Sequence, residues 1–386
     1  MGLTPIRRIV TGNDAQGRSK VVWDGPSPGT HEAQLPGAQH KPIDGRGHTD
    51  FWVWRETPAP LDGAEDAGTW DDEFPNPVGG GHLRVVHWLA KTADSPPNEP
   101  YSAPVEHGRT WDRGGGNHYN RSYMHKTKSL DYGILLSGER VMELDDATVT
   151  LAPGDIVIDV GAWHLWDSSR TGCLMAFDMF DAVFADGPAG TVQGNDKPLR
   201  PSANLELPAG VKPQRRVVAA DREAGKSSLI LDAPSPDVRV DPARPGFAIQ
   251  RMWVVDSAPA KLVYETLHLP NVLVPPQGGS VLNVFTLPPD SAWKGKVSER
   301  DVRAYFAAVG APHASTYSPQ ALHPYMQRMR VLDLAIVLEG EITLVLDTQE
   351  VLVKQGEFVI NRGSNHAWSN RSGKPAVIAI ASHDAK

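Results

Sequence analysis

The chain has 386 residues, enough for two domains with full hydrophobic cores, and a net charge of −8 from 46 acidic and 38 basic residues. It has no run of five like charges and no apolar stretch near the roughly 18 residues that span a bilayer, so it carries no electrostatic footprint for nucleic acid and no membrane segment. Small uncharged or weakly charged molecules are the partners this balance suits. One cysteine, Cys173, excludes a disulfide framework, and the start Met1-Gly2-Leu3-Thr4-Pro5 lacks the basic and apolar regions of a signal peptide, which points to a cytoplasmic protein.

Read in chain order, the sequence repeats itself. Arg7-Arg8-Ile9-Val10 with Asp24-Gly25-Pro26-Ser27-Pro28 returns 208 residues later as Arg215-Arg216-Val217-Val218 with Asp232-Ala233-Pro234-Ser235-Pro236. Residues 62 to 78, rich in Asp, Glu, Gly and Pro, form most of an insertion in the first half, because the repeat spacing falls from 208 to 199 across it. A surface loop is expected there. In the next apolar strand His82 and His87 align with Val281 and Thr286. After Gly114-Gly115-Gly116, His118 and Tyr119 sit where a loop closes a barrel mouth, or where one simply covers the surface.

From 131 to 180 short apolar runs alternate with turn residues: Gly133–Leu136, Arg140–Leu144, Thr148–Leu151, Asp155–Asp159 and Cys173–Phe177. The 36 Gly and 33 Pro punctuate the whole chain in this way, which indicates an all-β sandwich or barrel with few short helices. Cys173 lies inside an apolar strand and reads as inert. A connection is expected over 183–213, which divides the chain into domains 1–195 and 196–386. Gly225-Lys226-Ser227 imitates the end of a phosphate loop, but the strand-like run after it makes a hairpin turn the better reading. One helix is predicted over 299–309, where Ser298 and Asp301 resemble a capping box and Val302, Tyr305, Phe306 and Val309 form a stripe. Leu130-Asp131, Gly138-Glu139, Gly154-Asp155, His164 and Trp166 then return 202 residues later as Leu332-Asp333, Gly340-Glu341, Gly356-Glu357, His366 and Trp368. Two tandem copies of one domain follow.

The run Leu135-Leu136-Ser137-Gly138-Glu139, a hairpin, Ala152-Pro153-Gly154-Asp155-Ile156-Val157 and then Trp163-His164 resembles the two signature segments of the cupin superfamily. Its twin at 337–368 resembles a second. The resemblance implies two tandem jelly-roll β-barrels, a bicupin. Metal-binding members place two His and a carboxylate in the first segment and a His in the second. Carried onto this chain those places are His125, Thr127, Asp131 and His164 in the first half, and Gln327, Met329, Asp333 and His366 in the second. His125, Asp131 and His164 would hold one divalent metal, with Fe(II) favoured and Zn, Mn or Ni also compatible, and the amide and thioether of the second copy would not. That Asp131 and His164 recur as Asp333 and His366 also fits a shared structural hydrogen bond. His118 and Thr127 are candidate catalytic groups beside the metal. Trp163, Trp166 and Phe177 are candidate substrate-stacking residues, with core packing as the alternative for each; eight of the 11 tryptophans precede residue 170. The expected function is a bicupin enzyme whose N-terminal barrel oxidises a small ring- or carbonyl-bearing molecule in the manner of a dioxygenase. A cupin isomerase, lyase or cyclase, and a metal-free binding bicupin without turnover, are the rivals. The C-terminal barrel would stabilise the fold or a homo-oligomer interface.

Overall fold

The computed structural model describes residues 2–34, 41–71, 74–168, 170–183, 192 and 206–386. Each half forms a jelly roll in which a large sheet faces a three-stranded one. In the first half, Ser129–Ser137 pairs with Cys173–Val183 and Ile156–Val160, and Thr148–Leu151, Arg140–Glu143 and Leu165–Ser168 make the small sheet. In the second, Val331–Glu339 takes the same place between Ala376–Asp384 and Phe358–Arg362, facing Glu350–Lys354, Glu341–Leu346 and His366–Ser369. The helix spans Glu299–Ala308 and carries the Ser298/Asp301 capping box read from the sequence. No helix among the described residues is long and apolar enough to cross a membrane.

Strand alternation sorts most of the buried apolar side chains among the described residues into three large cores, with two small clusters beside them. On Ser129–Ser137, Leu130, Tyr132 and Ile134 enter a core shared with Leu332, Leu334 and Ile360 of the other half, while Leu135 joins the interior of the first barrel. Asp131 therefore points inward. The second barrel's interior is filled by Trp293, Tyr305, Phe306 and Tyr325 packed over Ile342, Leu344 and Trp368.

Neither barrel is built from one continuous stretch of chain. The hairpin Arg7–Asn13/Ser19–Pro26 pairs in parallel with Phe358–Arg362 of the second half, with Ile9 opposite Val359. Reciprocally, Arg215–Glu223/Lys226–Pro234 pairs in parallel with Ile156–Val160 of the first, with Val217 opposite Val157. The Gly225 segment is thus a hairpin turn as expected, at φ 69°. The division expected near 195 falls outside the described residues, and strands from each side of it complete the other side's sheet.

Two arginines lock the exchange. Arg8, fully buried, donates to the Phe51 carbonyl at 2.7 Å and to Asp66 Oδ1 at 2.8 Å. Its repeat Arg216, also fully buried, donates to the Met252 carbonyl at 3.0 Å and to Glu265 Oε2 at 3.1 Å. Asp66 lies in the 62–78 insertion, whose Ala67 and Gly68 are buried, so that segment is a structural clasp as well as a surface loop.

Glu265 is 1 % exposed and also accepts from the Thr266 and Leu267 amides at 2.9 Å, so removing its arginine leaves a buried carboxylate without that cation. Arg216→Met is expected to cost about 3–5 kcal/mol in urea unfolding, and Arg216→Met with Glu265→Gln, which removes the charge and keeps an acceptor for the two amides, to recover part of it. Arg8→Met should cost less, because the Asp66 side chain is 24 % exposed and water can replace the arginine. A chain ending near residue 195 lacks the hairpin that covers Ile156–Val160 and is expected to aggregate on gel filtration; a monomer as heat-stable as the full chain would show that the exchange is dispensable.

Candidate active site

The small-molecule candidate is a cavity of about 560 Å³ inside the first barrel, within the range of ligand pockets. Its wall includes His125, Asp131 and His164, together with Arg46, Arg84, Trp88, Trp111, Tyr123, Trp166 and Phe177. His125 and His164 face each other across a β-bridge, their ring centroids 4.2 Å apart. Gln327 and His366 form the same bridge in the second barrel, which confirms the register of the two copies.

Backbone carbonyls orient both imidazoles. His125 Nδ1 lies 2.8 Å from the Tyr123 carbonyl oxygen and His164 Nδ1 3.0 Å from that of Ala162, which leaves each Nε2 for the cavity. Burial pushes the His125 pKa down to about 3, so the ring is neutral. Burial would do the same to His164, but Asp159 Oδ2 lies 2.6 Å from Nδ1 and overrides it, raising the pKa to about 9. Asp131 sits opposite Asp159 on the neighbouring strand, and burial with that second carboxylate raises its pKa. Its Oδ1 is buried without a hydrogen-bond partner.

Both histidine segments are held by one residue of the exchanged hairpin. Asp221 Oδ2 binds Lys126 Nζ at 2.5 Å, and its Oδ1 accepts from the Trp163 amide at 3.0 Å; Asp221 and Lys126 are fully buried. His125 and His164 are the chain neighbours of these two contacts.

The second barrel closes the equivalent polar groups on one another. Gln327 Nε2 lies 3.4 Å from His366 Nε2, Asn361 Nδ2 lies 3.1 Å from His366 Nδ1, and Ser382 donates to Asp333 at 2.6 Å.

The other sequence candidates divide. Trp166 and Phe177 line the cavity, with ring centroids 5.6 Å apart. His118 also lines it, at φ 64° and with Nε2 2.5 Å from the Tyr123 hydroxyl. Trp163 does not: it packs with Trp111, Met124 and Leu165 in a separate small cluster, 2 % exposed. Thr127 is buried, and its hydroxyl is 2.8 Å from Ser129 Oγ and away from the cavity lining. His82 is fully buried and His87 lies on the opposite strand face, its Nε2 3.3 Å from Thr49 Oγ1; neither lines the cavity. Cys173 is buried, and burial raises its thiol pKa, as expected of an inert cysteine.

Sequence reasoning missed a second donor group. His31, His48 and Asp50 hold their ligand atoms within 4.8 Å of one another, the one such His/Cys/Asp/Glu group among the described residues. His125, Asp131 and His164 share a wall without closing to that spacing. His48 lines the cavity, and Asp50 is anchored by Arg84 Nε at 2.8 Å. The alternation Arg46, His48, Asp50 on one strand was the available signal.

The structure is thus that of a double jelly roll with one open and one closed barrel. Its second half carries a cupin domain: the cupin domain family model matches residues 315–382, and the first half repeats the strand order of that domain. Phomopsin biosynthesis cluster protein C' of Diaporthe leptostromiformis is 48 % identical over 48 residues, 12 % of this chain and 25 % of that protein. The cupin-domain-containing oxidoreductase virC of Hypocrea virens is 40 % identical over 58 residues, 15 % of this chain and 29 % of that one. The chain therefore matches between a quarter and a third of the length of these curated relatives. Among solved structures, protein Ylba of E. coli overlays with TM-score 0.37 at 10 % identity, over 92 % of this chain and 88 % of that one. Quercetin 2,3-dioxygenase of Acinetobacter baumannii gives 0.31 at 10 %, over 78 % and 74 %.

Burial, and then Arg46, hold the His87 pKa down to about 4, below the usual 6.5. Between those values the unfolded chain binds a proton that the folded chain does not, so stability falls as pH drops from 6.5 toward 4. His87→Gln is expected to flatten that part of the decline in urea midpoint, and equal declines in both proteins would remove His87 as its source.

Proposed function

We propose that the first barrel is the reaction chamber of a metal-dependent oxidoreductase that acts on a small ring- or carbonyl-bearing molecule, with dioxygenase-type oxidation as the reaction. The observation that carries this reading is the contrast between the barrels: His125, Asp131 and His164 face a cavity, whereas Gln327, Asp333 and His366 are tied into hydrogen bonds with neighbouring side chains. The oxidoreductase named among the relatives supports the class of chemistry.

The donors suit a divalent ion. Two nitrogen atoms emerge from imidazoles already anchored through Nδ1, and Asp131 offers an oxygen with no other partner. Two imidazoles and a carboxylate are the set that holds non-haem Fe(II), and they suit zinc as well. Bound there, a metal supplies a Lewis acid and, if iron, a centre for oxygen chemistry.

The chain's own residues do the rest. Asp159 stabilises positive charge on His164, as in a carboxylate–histidine relay, and so can keep a proton at Nδ1. Trp166 and Phe177 offer apolar faces for a substrate ring, and His118 with Tyr123 stands at the wall as a proton carrier. Metal-free acid and base chemistry by His164 and Asp131 is the nearest rival.

Untagged protein analysed by plasma mass spectrometry is expected to hold one metal per chain, lost in His125→Ala with an unchanged circular dichroism spectrum. Metal kept in His125→Ala but lost in His31→Ala would move the site to the His31, His48 and Asp50 group, which its short distances favour. Metal-free wild type after growth in metal-supplemented medium would leave only the rival.

A further inference from the structure

Arg46 stands on the cavity face of Pro42–Trp54, and its guanidinium carbon lies 3.5 Å from the centre of a Trp88 ring. Its protein hydrogen bonds are two long ones, from Nη1 to the carbonyls of Gly47 at 3.3 Å and His87 at 3.2 Å. Nε is buried with no partner, and no carboxylate among the described residues forms an ion pair with Arg46. A second buried cation is close by: Arg140 lies 3.9 Å from a Trp88 ring centre and bonds to the Asn120 and Trp166 carbonyls and the Ser168 hydroxyl. No carboxylate among the described residues forms an ion pair with Arg140 either, and Asp167 acts on it only at longer range.

The other charges of the wall are spoken for. Arg84 is matched by Asp50 at 2.8 Å, and Asp112 is held by His107 at 2.7 Å. Asp131 is pushed toward its neutral form by burial and Asp159. Arg46 is therefore a positive charge at the cavity wall whose counter-charge the described protein does not supply. Burial, together with Arg140, lowers its pKa to about 9, which leaves it a cation at neutral pH. An uncompensated cation beside apolar walls is costly, and an arginine fork matches a carboxylate.

We infer that the cavity takes a ring-bearing carboxylic acid as its anion, the carboxylate on Arg46 and the ring among Trp88, Trp166 and Phe177. The inference rests on the cavity being the substrate site. It adds the charge of the substrate, which neither the sequence nor the relatives give.

The test is titration of intrinsic tryptophan fluorescence in the full-length protein with benzoate, phenylacetate and indole-3-acetate, each against its primary amide at fixed ionic strength. At least one acid is expected to bind about tenfold tighter than its amide, the worth of one charge-assisted hydrogen bond. The preference should vanish in Arg46→Gln and survive in part in Arg46→Lys. Arg140→Gln with Arg46 intact should keep it. Equal binding of acids and amides to the wild type overturns the inference and leaves the cavity as a neutral-ligand site. A preference that persists in Arg46→Gln also overturns it. Saturation by none of the six compounds overturns both the inference and the reading of this cavity as a site for ring-bearing molecules.

Discussion

The reciprocal exchange of hairpins is the constraint on which the rest of the molecule depends. Each barrel's large sheet would end at a buried strand, Ile156–Val160 or Phe358–Arg362, and each is continued by a hairpin from the opposite half. An open edge of that kind carries unpaired backbone groups that water would have to satisfy. The exchange also reaches the cavity, because Asp221 belongs to the hairpin of the second half and braces the segments that present His125 and His164. The open barrel is thus incomplete without chain from the closed one, which gives the second copy a physical role that requires no chemistry of its own.

The two copies show how one scaffold was divided between opening and filling. In the second barrel, Trp293 and three aromatic rings associated with the helix Glu299–Ala308 pack the interior, and Arg244 lies 3.6 Å from the Tyr325 ring centre with Asp241 bound at 2.7 Å. A filled interior gains dispersion contacts and buries no unmatched charge. The first barrel gives up that filling for a cavity with Arg46 and Asp131 at its wall. Leaving such groups unsatisfied costs stability, and the core shared between Tyr132, Ile134, Leu332 and Leu334 offsets it.

What the sequence made legible were features with fixed spacing. The 202-residue repeat made Asp131 equivalent to Asp333 and His164 to His366, and the structure sets His125 across a bridge from His164 as it sets Gln327 across from His366. Trp163 misled because it precedes the strand Leu165–Ser168, where alternation no longer tells in from out, and its amide is turned to Asp221. Thr127 misled for a similar reason, at the end of a three-residue strand of a small sheet that the second half lacks. Arg46, His48 and Trp88 were missed because their strands carry no signature segment, and the alternation of Arg46, His48 and Asp50 does not by itself say which face is inward. The hairpin exchange was hidden for a simpler reason: the repeat of Arg7-Arg8 as Arg215-Arg216 says that the hairpins are equivalent and nothing about which barrel each one joins.

One substitution between the copies shows how little is needed to separate their chemistry. Asp159 and Asn361 occupy the same place, opposite Asp131 and Asp333 in the sheet, and each turns its side chain toward the following histidine. Burial disfavours the charged imidazole in both barrels. In the second, the amide adds no countercharge, and the His366 pKa stays below its ordinary value. In the first, the carboxylate of Asp159 outweighs burial and raises the His164 pKa. Burial raises the pKa of Asp131 and of Asp333 alike, with Asp159 adding to it in the first barrel, so the oxygen-for-nitrogen difference tells mainly on the histidine. A histidine that meets an amide in one copy meets a carboxylate in the other, and the strands around it are the same.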